Sequence, residues 1–210
     1  MVNMISMVSD IVLGISAIAV AFVAMIGLST WRRELAGKAI FEASKKMMGF
    51  VYKIVDGYQW TASLMTYSTE SIDRTRQPGE SDAVKLVLDE WYAKSKRLES
   101  VLKNYNELAE ANWEVKTILG QEAAKNIEER LVLIRKEIVN LSTAIYSYFE
   151  IGQQEAESGH NTRNTEFKEE MRKIVYQSPD SEEFKKLNVL VGDIDRELSP
   201  YLRGASRIRW

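Results

Sequence analysis

Residues Ile11 to Trp31 read IVLGISAIAVAFVAMIGLSTW, twenty-one positions without a charge, set between Asp10 and the pair Arg32-Arg33. As a helix rising 1.5 Å per residue this run covers about 31 Å, and the hydrocarbon layer of a bilayer is roughly 30 Å thick. Hydrocarbon offers bare backbone no hydrogen-bond partner, so a lone segment crossing it must be helical. One rival is a helix buried in a soluble core. Such helices show a polar face within two turns, whereas here only Ser16, Ser29 and Thr30 are polar. The other rival, a cleaved signal peptide, needs a basic leading region and a short apolar core. The first ten residues have no Lys or Arg and include Asp10, and the apolar run continues past any Ala-x-Ala site. The run therefore predicts an uncleaved transmembrane helix over 11–31, preceded by a short outer tail at 1–10.

The flanks give the orientation. Cytoplasmic flanks collect Lys and Arg, and Arg32, Arg33, Lys38, Lys45 and Lys46 all follow the span while none precedes it. The amino terminus is expected outside and the remaining body inside, with Trp31, Arg32 and Arg33 at the interface. Within the span, Gly14, Ala17, Ala21 and Ala24 recur at steps of three and four. This places small residues on one side of the helix, where they permit close approach of a second span. Asp10 continues the same stripe outward.

About 180 residues lie beyond the span, enough for one domain with its own core. Charged residues make up 28% and aromatics 10%, which reads as globular rather than disordered. The net charge of −2 gives no electrostatic footprint for nucleic acid. The chain has no Cys, which excludes disulfides and thiolate sites and agrees with a reducing compartment.

Past the span, a heptad-like run of Ile40, Ser44, Met47, Val51, Ile54, Tyr58, Ala62 and Met65 predicts a helix from about Leu35 to Thr69, continuous with the span because no breaker lies between Leu28 and Leu35. Gly37, Gly49 and Gly57 weaken this helix or let a neighbour approach. Residues 69–82 hold Pro78-Gly79, a turn signal. A second helix starts at Ser81 or Asp82 with the seam Val84, Leu88, Trp91, Ser95, Leu98, Leu102, Tyr105 and Ala109, and stops at Gly120. The third follows at once with Ala124, Ile127, Leu131, Ile134, Ile138, Leu141, Ile145 and Tyr148, a sustained 3.5-residue period. Residues 152–165 read as a polar loop. A fourth helical region carries Phe167, Met171 and Ile174, is broken at Ser178-Pro179-Asp180, and resumes with Phe184, Leu187, Val191, Ile194, Leu198 and Tyr201. Strand alternation is absent. The predicted fold is all-α: one amino-terminal transmembrane helix, then an antiparallel four-helix bundle of long helices at 32–202, the fourth broken near Pro179. In an up-down-up-down path the Gly120 turn and the carboxyl terminus both return toward the bilayer. The basic and aromatic tail 203–210, with Arg207, Arg209 and Trp210, then suits an anionic leaflet, each cation contributing about 1 kcal/mol near the surface.

Thr30-Trp31-Arg32-Arg33-Glu34-Leu35-Ala36-Gly37-Lys38, followed by Ala43 and by Val51-Tyr52-Lys53, resembles a group of bacterial single-span inner-membrane proteins of unknown function. They have a helical cytoplasmic body, and many end in a Leu-x-Pro-Tyr-Leu stretch like Leu198 to Leu202. The resemblance covers about a tenth of the chain. It implies a bacterial plasma-membrane location and carries over no activity and no functional residues.

Site chemistry is sparse. His160 is the one histidine, so its Glu-x-x-His with Glu157 lacks the second motif a di-iron bundle requires. No Gly-rich phosphate loop occurs, and no serine is paired in sequence with a base. Glu128, Glu129 and Glu137 alternate with Arg130, Arg135 and Lys136 as on solvated helix faces. Asn140-Leu141-Ser142 matches a glycosylation sequon but lies on the third seam, in a body expected to face the cytoplasm. No cofactor or metal is expected. The function that follows is a non-catalytic, membrane-anchored scaffold or adaptor that contacts lipid, self-associates and binds a protein partner. An oligomeric membrane effector or pore gated by the bundle is the alternative, and an enzyme using bundle carboxylates is a second.

Overall fold

The computed structural model describes residues 2–161 and 164–203, with side chains from Val8 onward, Ala123 excepted. Among these residues the chain forms five α-helices, one short 3-10 turn and no strand. Helix α1 (Val2–Thr61) is a single element of 60 residues, about 90 Å long at 1.5 Å per residue. Every residue from Val8 to Leu35 on it is exposed, and burial begins at Ile40. One helix thus holds the apolar segment and a quarter of the core, as the missing breaker between Leu28 and Leu35 predicts.

The expected seam of α1 is the buried one. Ile40, Ser44, Met47, Val51, Ile54, Tyr58 and Ala62 all face the core. The helix nevertheless ends at Thr61, eight residues short of the expected end, and Met65 is exposed. Of the three glycines only Gly57 marks a close approach: a Cβ there would lie 2.9 Å from Val101 Cγ2, while Gly37 and Gly49 have open space.

After the 3-10 turn Ser68–Ser71, α2 (Asp82–Leu119) starts with Ser81 as its cap, whose hydroxyl accepts from the Val84 amide at 3.3 Å. Gly120, at φ 87°, is the whole link to α3 (Gln121–Ser158). Positive φ costs a side chain energy that glycine avoids, so α2 and α3 fold back on each other through one residue. The seam of α3 is buried as expected from Ala124 to Ile145, with Tyr148 half-buried. The helix then runs on to Ser158 and stops at left-handed Gly159, so much of the expected loop at 152–165 is helical. The stretch Gln153-Gln154-Glu155-Ala156-Glu157 is polar, but its residues are good helix formers. Helices α4 (Thr165–Val175) and α5 (Glu182–Arg203) follow, the second burying Leu187, Val191, Ile194 and Leu198.

α2 departs most from expectation. Ala93, Lys94, Arg97, Leu98, Val101, Leu108, Ala111, Asn112 and Val115 are buried with Val84. Of the expected seam only Val84 and Leu98 are buried; Trp91, Leu102 and Ala109 face outward. The helix has two apolar stripes offset by about one position. The inner one won because it brings Val101 against Gly57, and because two cations on it reach the end of α1.

Helix α1 packs on α2 and α5, and α3 packs on α2, α4 and α5. Lys46 meets Glu114 at 3.0 Å and Arg97 meets the Trp60 carbonyl at 2.7 Å, so α1 and α2 are antiparallel. Asn126 meets Glu197 at 3.3 Å and Arg130 meets Asp193 at 3.8 Å, which makes α3 and α5 antiparallel too. These registers set Gly120 and Arg203 level with the start of burial on α1, at the end from which the apolar segment emerges.

Candidate functional site

The apolar segment is one half of the site. Gly14, Ala17, Ala21 and Ala24 lie on α1 and are exposed, and nothing approaches within 4 Å of where a Gly14 side chain would begin. Trp31, Arg32 and Arg33 are exposed where the apolar run ends. Arg207, Arg209 and Trp210 lie outside the described residues. The helix is long and apolar enough to cross a membrane, and it stands near the amino terminus.

The other half is the far end of α1, where sequence reasoning saw only a helix stop. The last carbonyls of a helix lack intrahelical donors and carry the negative end of its dipole. α1 has no basic residue in its last turn. Two cations on α2 supply the donors instead. Lys94 Nζ donates to the Thr61 carbonyl at 3.0 Å and to the Ser63 carbonyl at 2.9 Å, and sits 4.4 Å from the Tyr176 ring centroid. Arg97 donates to the Trp60 carbonyl at 2.7 Å, the Met65 carbonyl at 2.9 Å and both Glu70 oxygens at 2.8 Å, while its guanidinium stacks over Trp60 at 4.2 Å. The Gln177 amide closes the set on the Ala62 carbonyl at 2.8 Å.

Electrostatics follow from burial. Lys94 is 0% exposed, and desolvation pushes its ammonium down to about 8, with Glu90 acting the other way. It stays mostly protonated at neutral pH, and the two carbonyls and the aromatic face receive the charge. Burial, then the hydrogen bond to Glu90 at 2.6 Å, raises the Tyr176 phenol far above its usual range. Burial lifts Tyr58 to about 12, opposed by a hydrogen bond from Gln177 at 3.2 Å. Four chain segments thus meet on one desolvated polar cluster: the end of α1, the turn near Glu70, α2, and the joint between α4 and α5. Charged residues on a predicted helix read as solvent-facing. The usable clue was that Lys94 and Arg97 sit between Ala93 and Leu98, on a face of their own.

A second lock lies beside it. Arg74 binds Glu80 at 2.6 Å and Asp89 at 2.6 Å, which raises its own pKa and draws Glu80 down to about 2. Arg74 and Glu80 wall an open cleft of about 800 Å³ with Pro78, Trp91, Gln153 and Glu157. The cleft's buried cation is already committed to two carboxylates. His160 is exposed, its ring nitrogen 2.7 Å from the Ser158 carbonyl, and Glu157 accepts from Gln153 at 2.7 Å. Among the described residues no group of three or more His, Asp or Glu is gathered to hold a metal ion. The geometry fixes these chain segments against one another.

No family model, curated protein or solved structure matches the chain.

Proposed function

We propose that this chain is a non-catalytic, membrane-anchored helical scaffold that self-associates and binds a protein partner at the inner face of a bacterial plasma membrane. One observation carries the reading. On a single unbroken helix, all residues from Val8 to Leu35 are exposed, with the uncharged, largely apolar run Ile11 to Trp31 among them, while from Ile40 the same helix lines a core. Water penalises so large a bare apolar surface at about 25 cal/mol per Å², and a bilayer removes that penalty. The body is an antiparallel four-helix bundle whose fourth position is shared by α4 and α5, interrupted near Pro179. The cationic residues after the span support a cytoplasmic body, with Trp31, Arg32, Arg33 and the tail residues Arg207, Arg209 and Trp210 at the leaflet. Gly14, Ala17, Ala21 and Ala24 form the contact between spans, and the partner docks on the body. The resemblance of the Trp31–Lys38 stretch to bacterial single-span proteins agrees with this location.

Fractionation tests the anchor: the full chain should stay with membranes after an alkaline wash, and its release would overturn the reading. A reporter fused after Trp210 should be active only in the cytoplasm; a periplasmic signal reverses the orientation. Ala21→Leu should reduce cross-linked species in membranes while Val20→Leu should not, and an unchanged ladder for Ala21→Leu removes the span contact.

A further inference from the structure

The cleft beside the Arg74 lock is larger than the lock needs. Its floor is one stripe of α2, Val84, Leu88 and Trp91, and its rim is one stripe of α3, Glu150, Gln153 and Glu157. Steps of four and three residues keep each stripe on a single helix face. The stripes run side by side, since a side chain begun at Gly152 would stand 3.4 Å from Val87 Cγ1. Leu88, Trp91 and Gln153 line both this cleft of about 800 Å³ and a recess of about 240 Å³, so the two are continuous. Glu157 borders the first and Glu150 the second. Seven residues of α3, about 10 Å of helix, thus separate a carboxylate at either end of a largely apolar floor.

Charge selects what fits there. Arg74 is engaged by Glu80 and Asp89, Arg76 by Asp82 at 2.9 Å, and Lys85 by Asp89 at 3.4 Å. Among the described residues no cation pairs with Glu150 or Glu157. Trp60 carries Arg97 on its face and Trp113 carries Lys116 at 5.2 Å, whereas among the described residues no cation lies over Trp91, 37% exposed. A cation entering the cleft meets two free carboxylates and the negative face of an indole. We infer, on the reading of this chain as a partner-binding scaffold, that the cleft seats a basic segment of the protein partner. Two Arg or Lys side chains about 10 Å apart reach Glu150 and Glu157, and an apolar side chain between them packs on Leu88 and Trp91. The chain's own basic residues at 203–210 do not fit as occupant. Arg209 is six residues past Arg203, a reach of about 22 Å. Arg203 is level with Gly120, and Trp91 lies twenty-nine residues from Gly120, about 44 Å along α2. A parallel, anchored copy holds its own tail equally far away.

Fluorescence anisotropy with the full chain in non-ionic detergent tests this, using the labelled peptide acetyl-Gly-Arg-Gly-Leu-Gly-Arg-Gly-amide as probe. Saturable binding is expected. Glu150→Lys with Glu157→Lys should weaken it about tenfold, and Trp91→Leu several-fold. The doubly reversed chain should bind the same peptide with Glu in place of both Arg several-fold better than the parent does. Glu150 and Glu157 are exposed, so these variants keep the fold, which thermal midpoints verify. No saturable binding overturns the seat, as does an equal loss from Glu166→Lys with Glu170→Lys, exposed on α4. Spermidine displacing the probe at lower concentration than the unlabelled peptide overturns a protein segment as occupant. Each of these failures, in a chain that stays with membranes after an alkaline wash and cross-links there, leaves the anchored, self-associating scaffold standing. Release of the chain by the wash overturns the anchor whatever the peptide does.

Discussion

Replacing Arg97 with Met tests the lock at the end of α1 directly. The substitution keeps an unbranched apolar stem and removes the guanidinium, whose side chain is only 5% exposed. The carbonyls of Trp60 and Met65 lose their donor, and the Glu70 carboxylate is left beside an apolar side chain. Deleting one member of a buried, hydrogen-bonded ion pair costs about 3–5 kcal/mol. A carbonyl stranded away from water costs about 1–3 kcal/mol. These do not sum, because Met65 and Glu70 lie near the surface and water reaches them once the loop relaxes. A total of about 3–5 kcal/mol is expected. Arg97→Lys should recover less than half, since an ammonium cannot fork to a carboxylate and reach two carbonyls at once. Urea unfolding of the full chain in mild detergent, followed by tryptophan fluorescence, measures the total. Amide exchange locates it: residues 62–72 should exchange far faster in the variant, with the α3 core unchanged. A loss below about 1 kcal/mol with unaltered exchange at 62–72 would refute the argument, because the segment would then be held by something other than Arg97.

Three further outcomes are expected. Lys94 titrates at about 8 when folded, below its ordinary value, so the unfolded chain binds more protons between about pH 8 and 10. The contribution of Lys94 to stability therefore rises with pH across that window, before the raised Tyr58 and Tyr176 reverse the trend above pH 10; thermal midpoints against pH should show the rise, and Lys94→Met should flatten it. Gly57→Ala forces a methyl to 2.9 Å from Val101 and should cost about 1–3 kcal/mol, whereas Gly49→Ala, in open space, should stabilise by up to about 1 kcal/mol; equal effects in denaturant melts would contradict the close approach. Ile138→Ala empties a site 1% exposed and should cost about 2–5 kcal/mol by the same melts, a small loss showing that the seam relaxes.

The seams of α1 and α3 were legible because each has one dominant apolar stripe, from Ile40 to Ala62 with Ser44 its one polar member and from Ala124 to Ile145 without interruption. The caps at Ser81 and Gly120 were legible because their chemistry is local. α2 was not, since Trp91, Leu102 and Ala109 keep the heptad as well as Val101, Leu108 and Val115 do. Choosing between them needed the neighbours: Gly57 across the interface, and the carbonyls that only Lys94 and Arg97 reach. The early stop of α1 at Thr61 follows from the same long-range contacts, as no glycine or proline marks it. The lock is a property of segments far apart in the chain, so no window along the sequence contains it.

Helix α1 runs without interruption from the apolar segment into the core, and on the proposed membrane-anchored reading that gives the molecule the mechanics of an oar. A span held in a bilayer leans by about 20° on average, more where the hydrocarbon is thinner than the helix is long. Thirty residues separate Trp31 from Thr61, an arm of about 45 Å, so a 20° lean swings the locked end of α1 sideways by about 15 Å. With no hinge to absorb the angle, local membrane thickness would then set where the segment from Trp60 to Ile72 lies relative to the bilayer.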